Sequence, residues 1–174
     1  SRLHWRRHFI QKLEDQPEIE YKCMHPAFEG LRESSHCDDY LQAWYEGRTG
    51  YPLVDACMRS LHAWGWLNFR MRAMVVSFAS YDLWLDWRQL SPLLAQLFTD
   101  YEPGIHYSQL QMQSGVTGIN AVRMYDPMKQ LRDHDPEGNF VRRYVPELQA
   151  APQAWLQDLG QKPDLFNQWQ PTAY

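Results

Sequence analysis

GWLNFRMRAMVVSFASYDLWLDWR, residues 65–88, is apolar or aromatic at nearly every position, yet Arg70 and Arg72 stand two apart in its middle. Residues two apart on a helix point about 200° away from each other, so the two arginines cannot share a face. One of them turns to the core side, where a charge requires a partner or an anionic ligand. The stretch reads as one or two helices over residues 67–88, apolar almost all round. Helices of that kind lie at the centre of a fold.

Working outward, RTGYPLVDACMRSLHAWG (residues 48–65) gives a turn and then a helix, with Pro52 in its first turn and Gly65 at its end. Leu53, Val54, Cys57, Met58, Leu61 and Trp64 make its apolar stripe. Cys37 to Glu46 reads as a short helix closed by Gly47, and Gln16 to Ser35 as a loop with short helical pieces. The opening SRLHWRRHFIQKLED, with Leu3, Trp5, Phe9, Ile10 and Leu13, fits a surface helix. On the other side, Ser91 to Thr99 reads as a helix opened by Pro92. Residues 100–139, punctuated by Gly and Pro, are long for a structureless loop, and loops of that length are usually functional. A helix over Asn139–Tyr144 and a proline-broken tail follow. No period-2 strand, repeat or low-complexity tract is present, so the fold class is all-α.

Composition sets outer bounds. A chain of 174 residues suits one domain with a real core. Its net charge of −4 gives no global attraction to nucleic acid, so a DNA contact needs a local basic patch. No charge-free run of 18 apolar residues appears, and the N-terminus is no signal peptide. Three cysteines without a CxxC suit a reducing cytoplasm. The helix that starts without a cap or leading loop suggests the tail of something longer. Eight tryptophans fit a heavy core, and equally a domain that stacks on rings or moves electrons.

Three separated motifs carry a resemblance. YEGRTGYPLVDACMRSLHAWGWLNFRMRAMVVSF (45–78), YDLWLDWR (81–88) and DHDPEGNFVRRYVPEL (133–148), with WRRHF at 5–9, resemble the helical FAD-binding domain of the photolyase/cryptochrome family. The match runs from Arg2 to Leu148, and several motifs in order are more specific than any single one. It implies a multihelical fold with a U-shaped FAD between helices and a DNA-facing cavity above the flavin. Residues 1–148 would form the C-terminal part of that domain, incomplete at its N-terminus, and 149–174 a tail.

The resemblance also implies roles. Arg72 falls beside the isoalloxazine, paired with Asp100, and a cation there stabilises the charge of the reduced ring. Arg70 falls where the family meets DNA phosphate, with Trp5 and Arg123 in the same nucleic-acid set. Arg6 matches an arginine near the cofactor's phosphates and adenine. Trp66 and Phe69 line the cavity, and Glu102, Ile105, His106, Gln109 and Leu110 lie along the segment wrapping the ring. His106 falls opposite flavin N5, where an imidazole of ordinary pKa exchanges a proton near neutrality. Trp87 holds the middle place of the family's electron-carrying tryptophan chain. Leu110 replaces the inner member and Ser34 falls near the outer one, so Trp84, Tyr81 or Tyr107 would have to supply another route.

Departures from the family pattern bear on function. The positions that hold flipped pyrimidines in the better-known photolyases read Arg2, Trp5, Phe69, Ala73 and Met112, and only Trp5 is kept. Base flipping needs hydrogen bonds to pyrimidine edges and an aromatic face, so dimer repair is in doubt. The antenna domain and the Thr-Ser-x-Leu-Ser segment that cradles the FAD diphosphate are absent, which suggests that they lie upstream in cis or in another chain. Cys23, His25, His36 and Cys37 form a zinc-like inventory at a spacing unlike common zinc sites, so no metal is assigned. Arg123, Lys129, Arg132, Arg142 and Arg143 give the C-terminal half a basic character that suits a phosphate track or an ordinary solvated face. The expected function is light-driven flavin electron transfer in a DNA-associated, cytoplasmic protein acting at or near ultraviolet damage, with an altered dimer pocket. A photolyase of different lesion specificity and a flavin-free helical interaction domain are the alternatives.

Overall fold

The structure is a computed structural model that describes residues 2–35, 37–118 and 124–157. Among the described residues there are nine α-helices and no strand. The helix α3 (Pro52–Trp64) is the axle: it packs against α2 (Asp38–Glu46), α4 (Phe69–Ser77), α7 (Pro127–His134) and α8 (Asn139–Tyr144). Leu53, Val54, Ala56, Cys57, Met58, Ser60 and Leu61 are all buried, so α3 is covered on nearly every side rather than along one stripe. Trp64 departs from the expected stripe: it is 64% exposed, in a last turn whose His62 and Ala63 are exposed as well. Trp44 of α2 is fully buried and donates its indole N–H to the carbonyl of Val75, which ties α2 to α4. The core continues past Leu148: Ala151, Trp155 and Leu156 belong to it, the last two on α9 (Gln153–Gln157).

The apolar stretch resolves into a helix with three faces. Met71, Met74, Val75 and Phe78 point to the core, Phe69, Arg72, Ala73 and Val76 to a cavity, and Arg70 to solvent. Two apolar faces on one helix make the sequence look apolar all round. After Ser77 the backbone widens into one π-helical turn, Phe78–Asp82, and Trp84 follows with φ of +57°. The next helix, α5 (Trp87–Leu97), starts earlier than its proline suggested. Asp86 accepts from the Arg88 N–H at 2.8 Å and caps it, leaving Pro92 inside the helix, exposed, where its missing N–H forgoes the bond to the Arg88 carbonyl.

The described residues between 100 and 139 are not one structureless loop. They contain α6 (Pro103–Gln113) and α7, each opened by an acidic cap and a first-turn proline. Glu102 accepts from the N–H groups of Gly104 and Ile105, and Asp126 from those of Met128 and Lys129. The N-terminal helix α1 (Arg2–Asp15) lies along α6. Their backbones touch at Gly104, where a Cβ would stand 2.7 Å from the Phe9 carbonyl oxygen and 2.8 Å from the Cα of Ile10. Buried Gln111 then staples the loop after α1 to α6: its amide donates to the carbonyls of Ile19 and Lys22 and accepts from the Met24 N–H. Among the described residues no helix is long and apolar enough to cross a membrane.

Candidate functional site

A cavity of about 310 Å³ opens between α4, α5 and α6. Its size is at the low end for small-molecule sites, roughly 300–1,000 Å³. Helical spacing builds two of its walls. Phe69, Arg72, Ala73 and Val76 recur at three- and four-residue steps on α4, and Ile105, His106, Gln109, Leu110 and Gln113 do so on α6. Leu94 of α5 joins them, and two connecting segments contribute Trp66 and Leu67, and Phe98, Asp100, Tyr101 and Glu102. Gly65 brings those segments together. In the left-handed conformation, φ +68°, it ends α3, and its carbonyl accepts from the N–H of Thr99 at 2.9 Å. A Cβ there would stand 2.4 Å from the Thr99 methyl carbon, so only glycine allows this approach and the placement of Asp100 that follows.

The answer to the two arginines lies in this wall. Arg72 donates two bonds from Nη2 to Asp100, at 2.9 and 2.7 Å, and one from Nε to the Leu67 carbonyl at 2.7 Å. Its guanidinium carbon sits 4.1 Å from the centroid of the Phe98 ring. The pair is not buried in the core: its side chains are 27% and 49% exposed at the cavity wall. Arg70 is exposed on the remaining face. His106 packs edge-on between Tyr101 and Tyr107, with ring centroids 5.0 and 5.3 Å away. Burial pushes its pKa down to about 4; the hydrogen bond to Ser91 opposes that shift and the charge of Arg72 adds to it. His106 is therefore neutral at pH 7, and the expected proton exchange near neutrality does not fit this environment.

Of the residues expected at the cofactor, Trp66, Phe69, Arg72, Asp100, Glu102, Ile105, His106, Gln109 and Leu110 line one cavity. Glu102 also spends its carboxylate on the α6 cap. Arg6 lies apart, exposed on α1 beside Leu3, Arg7 and Ile10. Trp87 is fully buried behind α6, in a small cluster with Cys23 and Val116 against which Tyr107 packs. Trp5 is exposed on α1, Arg123 lies outside the described residues, and so does the Arg2 side chain. Part of the expected basic track is engaged locally. Lys129 pairs with Asp133, and Arg142 donates to the carbonyls of Glu137 and Ala151. His25 accepts from the Ala27 N–H and abuts Phe28, while His36 lies outside the described residues.

Sequence reasoning missed Leu67, Val76, Leu94, Phe98, Tyr101 and Gln113, and gave Ala73 only a role at the bases. Counting three and four residues on from Phe69, Arg72, Gln109 and Leu110 would have found Ala73, Val76 and Gln113. Leu94 and Phe98 come from a different element and carry no such signal. The residue set fits an isoalloxazine ring: walls that are mostly apolar, one cation for the electron-rich edge and few other charges.

Comparison with known proteins decides the family. The model for the FAD binding domain of DNA photolyase matches residues 1–171. The chain belongs to the DNA photolyase family. Its match to the deoxyribodipyrimidine photo-lyase of Vibrio cholerae is 32% identical over 158 residues, covering 90% of this chain and 34% of that protein. An archaeal photolyase from Sulfolobus tokodaii, whose crystal structure holds two FAD molecules, superposes with a TM-score of 0.86 at 30% identity, over 93% of this chain and 38% of that one. The Synechocystis cryptochrome superposes with a TM-score of 0.79 at 26% identity, over 95% and 34%. The chain thus spans about a third of the length of these photolyase and cryptochrome relatives. It is a helical FAD-binding domain of the photolyase/cryptochrome type, and FAD is its cofactor.

Proposed function

We propose that the cavity seats the isoalloxazine ring of FAD and that the protein carries out light-driven electron transfer in association with DNA. The observation that carries this reading is the Arg72–Asp100 pair, Nη2 donating to both carboxylate oxygens, set in a mostly apolar wall. Bound FAD supplies the absorption of light and the electron. The chain's own part is binding, orientation and exclusion of water. Arg72, held in place by Asp100 and Leu67, presents a fixed positive charge to the ring's electron-rich edge, where a low-dielectric site makes it effective. Leu67, Val76, Leu94 and Phe98 keep water from the ring faces. Trp87, in the buried cluster against which Tyr107 packs, is the electron relay of this reading.

Arg70 and Trp5, both exposed, are the contacts proposed for damaged DNA, with Arg123 as a third. Phe69 and Ala73 at the cavity offer no hydrogen bonds to a flipped pyrimidine pair, so reversal of cyclobutane dimers is proposed to be poor. Repair of another lesion is the second reading, favoured by Trp66 and Phe69, which are more than half exposed at the mouth and can stack on a base. The FAD-binding unit is proposed to include residues 1–148 together with Ala151, Trp155 and Leu156. Cytoplasmic residence, which the free cysteines suit, belongs to the same proposal.

The test is a visible absorption titration of the protein with FAD, followed by incubation of an ultraviolet-damaged oligonucleotide under blue light. A flavin spectrum shifted on binding, with little dimer reversal, is expected. Absence of any flavin binding would overturn the reading, and efficient thymine-dimer reversal would overturn the altered pocket.

A further inference from the structure

We propose that the backbone carbonyl of Ser91 fixes His106 as its Nε2–H tautomer, so that the cavity offers Nδ1 as a neutral hydrogen-bond acceptor alongside the cation of Arg72. The inference rests on the flavin reading above for its ligand, and on the chain alone for the tautomer. Nε2 of His106 lies 3.0 Å from the Ser91 carbonyl oxygen and 3.2 Å from the Ser91 hydroxyl. A carbonyl accepts and never donates, so Nε2 must carry the proton in that contact. In the neutral ring Nδ1 then holds a lone pair. Among the described residues Nδ1 makes no hydrogen bond and is not an enclosed polar atom without a partner, so it keeps an accessible lone pair on a side chain that lines the cavity.

The surroundings support a neutral ring held in one place. Tyr101 and Tyr107 pack edge-on against it. The two acids in the cavity are engaged elsewhere, Asp100 with Arg72 and Glu102 with the α6 cap. A protonated His106 would have Arg72 nearby and no carboxylate bonded to it. Ser91 itself does not line the cavity, so it acts through His106 as a positioning residue.

The consequence is selection between redox states. A ligand that brings an N–H to His106 and negative charge to Arg72 satisfies both walls. The reduced isoalloxazine carries an N–H at N5, whereas the oxidised ring offers a lone pair there. A lone pair facing an acceptor forms no hydrogen bond and repels it. The cavity should therefore hold reduced FAD more tightly than oxidised FAD, and one hydrogen bond accounts for roughly a tenfold difference.

Two measurements decide it. Long-range proton–nitrogen correlation on the imidazole of the flavin-free chain, assigned by the signals lost in His106→Phe, should show a pyridine-type Nδ1 and a pyrrole-type Nε2 at neutral pH. A proton on Nδ1 would overturn the proposal. Ser91→Ala keeps the carbonyl and should keep the tautomer, and its loss there would overturn the assignment to the backbone. Titrations with oxidised and chemically reduced FAD should then show the reduced form favoured, and His106→Phe should lower that ratio about tenfold. An unchanged ratio would overturn the selection. Failure of the unaltered chain to bind FAD in either state would sink the flavin reading, while the nitrogen signals would still judge the tautomer.

Discussion

On the core side, Met71, Met74 and Val75 of α4 and Phe78 just after it are at most 7% exposed, whereas on the adjoining face of α4 Phe69 is 63% exposed. Trp66, beside it at the cavity mouth, is 55% exposed. The residue types are alike. On one side the protein's own helices, α3 above all, cover the apolar surface. On the other, α5 and α6 stand back and leave a gap edged by a single ion pair. The first face is burial that folding completes, and the second is burial left for a ligand. Large apolar side chains exposed around a concave, charge-poor site mark that second kind.

Met74→Ala against Phe69→Ala is the strongest way to break the comparison. Removing the fully buried Met74 should cost about 2–5 kcal/mol in denaturant unfolding, because it leaves a void in the core. Phe69→Ala should change stability by no more than about 0.5 kcal/mol. Its effect should appear in FAD affinity instead. Equal losses of stability would mean that the two faces do the same job.

The pH dependence of unfolding ranks next. His106 has a folded pKa of about 4 against an ordinary 6.5. Between those values the unfolded chain binds a proton that the folded chain does not, so stability falls as pH drops from 6.5 to 4. At higher pH neither state is protonated and the term vanishes. The loss should reach a few kcal/mol at pH 4, and His106→Phe should flatten that part of the profile.

Smaller effects sharpen the wall itself. Glu102→Ala removes the cap of α6 and should cost about 1 kcal/mol, read by urea unfolding. Asp100→Asn should change stability by less than about 1 kcal/mol, since the pair is partly exposed. FAD affinity should nevertheless fall roughly five- to tenfold as Arg72 loses its orienting partner. Unchanged affinity would make the pair structural only.

Much of this was legible in the sequence where signals were local. Pro52 and Gly65 bracket α3, Gly47 ends α2, and α8 spans Asn139–Tyr144. The pairing of Arg72 with Asp100, 28 residues apart, came from family resemblance rather than from spacing. What failed did so for identifiable reasons. Pro92 reads as a start because prolines usually open helices, yet Asp86 caps α5 first. α6 was hidden because its apolar residues are split between a cavity wall and contacts with neighbouring helices, which blurs the stripe. The contact between Ser91 and His106 joins two helices and has no signature in either.

The close approach at Gly104 gives the cavity a stiff back. With no side chain between them, α1 and α6 meet backbone to backbone, so α6 cannot bow outward without carrying Phe9 and Ile10 along. Filling or emptying the cavity should thereby be felt by a helix that, among the described residues, contributes none to its lining. The amides of α1 should report occupancy of a site they never touch, through slower hydrogen exchange when the ring is in place.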